Sequence, residues 1–184
     1  MLKPAYPITT PRLTLRPFTP ADLDDLHAYE SRPDVTRYLY WDPRDRDATR
    51  TFLDKKITRT ELHDEGDALD LAITHRHTGA LVGNCLLLWT SKAHRQGEIG
   101  YILNPAHHGH GYATEAAREM LRLGFDGLNL HRITGRLDAR NTASARVLEK
   151  LGMRREAHLI DNEHVKGEWA SELIYAILAR EWTP

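Results

Sequence analysis

Apolar and polar residues follow one another along this chain in two rhythms, and the changes of rhythm mark the elements. Arg12-Leu13-Thr14-Leu15-Arg16 alternates and predicts a short strand. Thr19-Pro20-Ala21-Asp22 then reads as a helix start, with a capping threonine, a proline at the first position and an acid at the positive end. Leu23 and Leu26 give that helix its apolar side, and Pro33 stops or restarts it. Arg37 to Trp41 is aromatic and closes on the turn signal Asp42-Pro43. Thr49 to Leu62 predicts a second helix, with Phe52, Leu53 and Ile57 on one side.

From residue 68 the period becomes two. Leu69, Leu71 and Ile73 alternate, His77-Thr78-Gly79 makes a turn, and Ala80 to Trp89 is a long apolar strand, so an antiparallel hairpin is expected. After the polar loop Thr90–Arg95 comes the strand Gln96–Leu103. It has Ile99, Tyr101 and Leu103 on one face and Glu98, Gly100 and Ile102 on the other. Asn104-Pro105 ends it. His107 to Gly111 is a loop with two glycines, and helical spacing begins at once with Ala113, Ala116, Ala117, Met120 and Leu121, running to about Gly124 or Phe125. Ile133–Asp138 is a strand, and Asn141 caps a helix bearing Val147, Leu148 and Leu151 that stops at Gly152. Strands at Arg154–Ile160 and Glu168–Leu178, separated by a polar turn from Asp161 to Gly167, complete the pattern. With no internal repeat or linker, one mixed α/β domain over residues 1–184 is expected.

Composition narrows the partners. Hydrophobic residues at 41% and charged residues at 28% fit a folded globular chain. A net charge of −1 with scattered Lys and Arg offers nucleic acid no basic surface. No apolar run is long enough for a bilayer, and the first ten residues lack the apolar core of a signal peptide. The single cysteine, Cys85, sits in the apolar run, which predicts a buried, inert thiol and fits a reducing cytoplasm. The 11 histidines raise the question of metal, but neither His107, His108 and His110 nor His75 and His77 has a zinc spacing, so no metal is expected.

The loop Gly109-His110-Gly111-Tyr112-Ala113-Thr114 has a chemical reading. A glycine-rich turn that opens a helix lets backbone N–H groups approach a phosphate, at the positive end of the helix dipole. A Walker loop is excluded, because Gly111-Tyr112-Ala113 does not supply Gly-Lys-Ser/Thr.

The order strand, glycine loop, helix, strand, Asn-capped helix resembles the GNAT superfamily of N-acetyltransferases. Its pyrophosphate signature is Gln or Arg, two residues, Gly, one residue, then Gly or Ala. It falls on His108 to Ala113, with Gly111 and Ala113 matching and His108 departing. Asn141 to Met153, N-T-A-S-A-R-V-L-E-K-L-G-M, is similar to a second family element. Arg12 to Pro17, Gly167-Glu168-Trp169 with Tyr175, and Glu181-Trp182 resemble the branch containing ribosomal-protein-alanine N-acetyltransferases. The resemblance implies a splayed, mostly antiparallel α+β sheet of about six to seven strands flanked by about four helices. Acetyl-CoA would lie between Gln96–Leu103 and Ile133–Asp138. Its pantetheine arm would lie near Ile102, Leu103 and Asn141, and its pyrophosphate on His108, Gly109, His110, Gly111, Tyr112, Ala113 and Thr114.

The implied reaction moves an acetyl group from the thioester to an amine, either a protein α-amine or a small molecule. Glu98 is the candidate base, against the reading of a solvated or ion-paired strand-end glutamate. The tyrosine that many members carry seven residues after the capping Asn is Leu148 here. Ser144 is then either the donor near the sulfur or a helix-start serine bonded to local backbone. Tyr38, Tyr40, Trp41, Trp89 and Trp169 are candidates for the acceptor pocket, Trp41 foremost because it precedes a loop. A homodimer is allowed by the family. A non-catalytic acyl-CoA-binding module is the competing class, resting on the missing tyrosine and on His108.

Overall fold

The structure, a computed structural model, describes residues 1–183. Among the described residues eight strands form one sheet: β1 (Ile8–Thr9), β2 (Leu13–Pro17), β3 (Ala68–His75), β4 (Leu81–Ser91), β5 (Gln96–Leu103), β6 (Arg132–Asp138), β7 (Arg154–Val165) and β8 (Glu168–Leu178). The order across the sheet is β1-β2-β3-β4-β5-β6-β8-β7. Every neighbouring pair is antiparallel except β5 and β6. Five helices among the described residues accompany it: α1 (Leu23–Glu30), α2 (Pro33–Thr36), α3 (Arg46–Thr58), α4 (Tyr112–Arg122) and α5 (Thr142–Lys150).

Strand alternation sends the side chains of β5 to two cores. Ile99, Tyr101 and Leu103 pack with Ala116, Ala117 and Met120 of α4 and Leu148 of α5. Ile102 points the other way, to Leu23, Leu26 and Tyr29 of α1 and Leu53 of α3. Helices therefore cover both faces, and the apolar run of β4 is buried throughout Leu81–Cys85 because both its faces are covered. Cys85 is fully buried and free, with its thiol pushed up by desolvation.

Four expectations need correction. The sheet has eight strands rather than six or seven, because β1, hidden among prolines, pairs with β2 through Ile8 and Leu15. The described residues form five helices rather than four, because Pro33, expected to stop or restart the first helix, begins a separate one-turn helix. The helix expected over Thr49–Leu62 is α3, Arg46–Thr58. Asp45 caps it by accepting the Ala48 amide at 2.8 Å, and Leu62 is drawn away into a two-way backbone pairing with Leu2. The polar turn expected from Asp161 to Gly167 is instead strand up to Val165, with only Lys166 and Gly167 turning, both at positive φ. A bulge at Asp161 (φ 47°) breaks the alternation, which is why the pattern reads as loop.

Beyond α4 the helix relaxes into a wide turn, Leu123–Gly127, close to the expected end. Among the described residues no helix is long and apolar enough to cross a membrane.

Candidate active site

The single parallel pair among the described residues makes the site. β5 and β6 are in register for three pairs only, Gln96 with Arg132, Gly97 with Ile133 and Glu98 with Thr134. Past Glu98 the strands part. β5 remains paired to β4 as far as Leu103, so its other edge, from Gly100 to Leu103, faces an opening. An exposed edge offers unpaired N–H and C=O groups to an extended ligand, as if to an added strand.

The loop beyond β5 leads to α4. Gly109 and Gly111 have φ of 81° and 77°, and a side chain built on Gly109 would meet only open space. Among the described residues the amides from Gly109 to Thr114 find no protein acceptor. Free amides at the start of an eleven-residue helix form an anion cradle. Arg12 fixes it from β2's approach, with Nη1 donating to the His110 carbonyl at 2.7 Å and Nε to Glu115 Oε2 at 2.7 Å. Glu115 also accepts from Thr10 Oγ1 at 2.6 Å and from the Arg12 amide at 2.9 Å. Burial pushes this carboxyl up, but these donors outweigh it and hold it below the usual range. Glu115, in the first turn of α4, thus staples the loop to the sheet. His108 turns its ring toward the Leu103 carbonyl, at 3.3 Å, and His110 stacks on Tyr112 with ring centres 5.4 Å apart.

On the other side of the opening, Asn141 caps α5 by accepting the Ser144 amide at 3.1 Å. The Ser144 hydroxyl lies 3.0 Å from the phenol of Tyr101, which strand alternation places only on the face shared with Ile99 and Leu103.

A cleft of about 150 Å³ lies on the face that carries Glu98. Tyr38 and Tyr40 form one wall, and the β7–β8 hairpin, through Glu163, Val165 and Lys166, forms another. Arg136 and Glu172 meet across β6 and β8 in a two-bond pair, 2.8 and 2.7 Å. Arg140 is held by Asp138 and Glu168. Glu98 makes no hydrogen bond or ion pair among the described residues. Its carboxyl is raised by burial, lowered in part by Arg136, and raised again by Glu172. Arg136, Glu163 and Glu172 were missed in the sequence. The available signal was polar residues set inside apolar strands, R in I-T-G-R-L-D and E in S-E-L-I-Y-A-I-L.

The aromatic candidates separate. Tyr38 lines the cleft, with Tyr40 beside it. Trp41 does not; it packs on Phe52 and donates to Glu30 Oε2 at 3.1 Å. Trp89 is 6% exposed in the core, because alternation on β4 turns it away from the Glu98 face. Trp169 is 63% exposed on β8, where it meets His164 edge-on. Among the described residues no group of three or more His, Cys, Asp or Glu is placed to hold a metal ion.

A sheet split at its one parallel pair, with an anion cradle at one end and a carboxylate-floored cleft at the other, is the layout of an acyl-group transferase. The chain belongs to the GNAT acetyltransferase family: residues 12–154 match the acetyltransferase (GNAT) domain. It is 33% identical over 173 residues to the uncharacterized N-acetyltransferase p20 of Bacillus licheniformis, covering 94% of this chain and 96% of that one. It is 25% identical over 168 residues to the spermidine N(1)-acetyltransferase of Escherichia coli (strain K12), covering 91% and 87%. A solved GNAT-family acetyltransferase from Bacillus anthracis superposes with a TM-score of 0.85 at 34% identity, over 95% of this chain and 99% of the other. The chain is thus an N-acetyltransferase with acetyl-CoA as donor substrate. These relatives do not single out the ribosomal-protein branch.

Proposed function

We propose that this chain acetylates a small-molecule primary amine held in the cleft above Glu98, which acts as the general base. The observation that carries the reading is a half-buried carboxylate with no partner, placed at the last paired residue before the strands part. Acetyl-CoA supplies the activated acyl group. Gly109 to Thr114 would hold its pyrophosphate through backbone amides, and the free edge at Ile102 and Leu103 would hold its pantetheine arm. Asn141 would keep the start of α5, and with it the Ser144 hydroxyl, at the sulfur. Glu98 takes the proton that an ammonium must lose before it can attack, and its raised pKa brings it closer to the amine's own. Arg136 and Arg140 are paired with Glu172, Asp138 and Glu168, and Lys166 donates to the Thr36 carbonyl, so Glu98 and Glu163, the latter beside the Tyr40 phenol, are the cleft carboxylates without an arginine partner among the described residues. Similarity to a spermidine N(1)-acetyltransferase supports a small amine over a protein N-terminus.

The test is thiol release from acetyl-CoA with monoamines, diamines, polyamines, amino acids and an N-terminal peptide. Small amines are expected to turn over faster than the peptide. Glu98→Gln is expected to lose about 100-fold or more in kcat/KM at neutral pH while binding acetyl-CoA as before. Binding of acetyl-CoA with no turnover on any amine would establish the non-catalytic module instead, and wild-type turnover by Glu98→Gln would remove Glu98 as base.

A further inference from the structure

Ser144 is served by a tyrosine that lies on another element. At the position where a helix α5 tyrosine would stand, Leu148 is 1% exposed and packs against Gly135 of β6. That side of α5 is core and offers no phenol to the opening. Tyr101 reaches α5 from β5 instead. It lies three residues past Glu98, on the stretch that lines the opening, and its side chain points to the face opposite Glu98. Its phenol oxygen is 3.0 Å from the Ser144 carbonyl oxygen and 3.0 Å from Ser144 Oγ. The Ser144 amide is already taken by Asn141 Oδ1. Among the described residues no other side chain hydrogen-bonds to Ser144 Oγ.

The phenol has one hydrogen and two acceptors. When it donates to the Ser144 carbonyl, the serine's own hydrogen is free to point back at the phenol oxygen. When it donates to Oγ, the serine's hydrogen is turned outward, into the opening. We infer that Tyr101 is a positioning residue for the transfer, setting the Ser144 hydroxyl to donate to the departing sulfur. This rests on the reading of Ser144 as the group near the sulfur. In the step itself the amine nitrogen bonds to the acyl carbon and the carbon–sulfur bond breaks, its electron pair staying on sulfur. Ser144 O–H donates a hydrogen bond to that sulfur while Tyr101 O–H donates to Ser144 Oγ. Both hydroxyls keep their protons. The ammonium's first proton has left through Glu98 to water before attack; the second, lost from nitrogen as the amide forms, leaves by the same route, and the thiolate takes its proton from water. A donor backed by a second donor is a stronger donor, and a hydrogen bond to a charged acceptor is worth more than one to a neutral acceptor.

Four proteins test this: Tyr101→Phe, Ser144→Ala, the double variant, and a chain with difluorotyrosine at position 101. Ser144→Ala and Tyr101→Phe are each expected to lower kcat about tenfold. The KM for the amine and the calorimetric affinity for CoA should stay within about twofold. The double variant is expected to be no slower than Ser144→Ala, because the phenol acts only through the serine. Difluorotyrosine, which keeps the hydroxyl, is expected to restore kcat, so a loss from misfolding in Tyr101→Phe is recognised by its melting temperature and by this rescue. If Ser144→Ala keeps wild-type kcat, the reading of Ser144 itself falls. If Ser144→Ala is slow but Tyr101→Phe is not, or the two losses multiply, the inference about Tyr101 is overturned and Ser144 stands.

Discussion

At the scale of single residues, Glu98 and Gly111 carry opposite kinds of cost. Burial raises the Glu98 pKa above that of an unfolded glutamate. A raised acid contributes its full stability below the unfolded pKa, about 4.3, and loses it as pH rises through the folded value. At neutral pH the ionised carboxylate therefore burdens the fold. Glu98→Gln is expected to melt no lower than wild type at pH 7, with any gain disappearing near pH 3 in a series of thermal melts (roughly a unit below the ordinary glutamate value). A clear drop in melting temperature at pH 7 would show that the carboxylate is needed for structure. Gly111 sits at φ 77°, and a Cβ there lies 3.5 Å from Arg12 Nη2. Gly111→Val forces a branched side chain into left-handed backbone, at about 1–2 kcal/mol, and weakens acetyl-CoA binding by about 5- to 30-fold if the strain falls on the cradle. His108→Ala is expected to change affinity by less than about threefold, the side chain being turned to Leu103 rather than to the loop's free amides. Isothermal titration of both variants checks this. Equal losses would mean that His108 touches the phosphate.

At the scale of elements, α3 is tied to the sheet by a buried ion pair that no periodicity announces. Lys56 Nζ meets Asp70 Oδ2 at 2.7 Å, both buried, with Arg59 4.0 Å away as the next cation. The Lys56 ammonium also lies 4.5 Å from the centre of the Phe52 ring. That ring packs on Trp41, itself held by Glu30 together with Arg44. The aromatic turn that walls the cleft thus leans on α3. Lys56→Met leaves the Asp70 charge without its main partner and is expected to cost about 3–5 kcal/mol. Thermal melting should show a fall of roughly 6 °C or more. Replacing Asp70 as well, by Leu, should recover much of it, because no unpaired charge then remains. A second variant as unstable as the first would show that the pair does more than neutralise itself. The β7–β8 hairpin joins the same wall from the other side, where Lys166 Nζ donates to the Thr36 carbonyl of α2 at 2.6 Å.

At the scale of the whole molecule, the splay between β5 and β6 divides the sheet into two parts with different jobs. One edge of the opening is free backbone and the other carries α5. On addition of CoA, hydrogen exchange is expected to slow at the free edge from Gly100 to Leu103 and at the amides of Gly109 to Thr114, and to stay unchanged on β3 and β7. Uniform slowing across all eight strands would point to global stabilisation and away from a ligand seated in the opening. The order of elements was largely legible in the sequence. The strand, loop, helix and strand around residues 96–138 stand almost where alternation and helical spacing put them, because both of their periods are enforced by burial on one face. β1 and the far end of β7 were not legible, since prolines and a bulge interrupt the period there while backbone pairing to a distant strand continues.

The sequence by itself determined the free amides of the glycine loop, the Asn141 cap and the two faces of β5, because each depends on neighbours within a few residues. The position of Glu98 on its strand was determined in the same way. Its lack of a partner was not, for that follows from Glu172 on β8 having taken Arg136 first. The tertiary structure also decided which aromatics meet the cleft, removing Trp89 to the core and Trp41 to α1 and α3. It alone brought Tyr101 to Ser144, 43 residues apart in sequence. Local pattern fixes which way a side chain points. What it meets depends on chain segments far away, and the pKa, hydrogen bonding and reach on which the chemistry rests depend on what it meets.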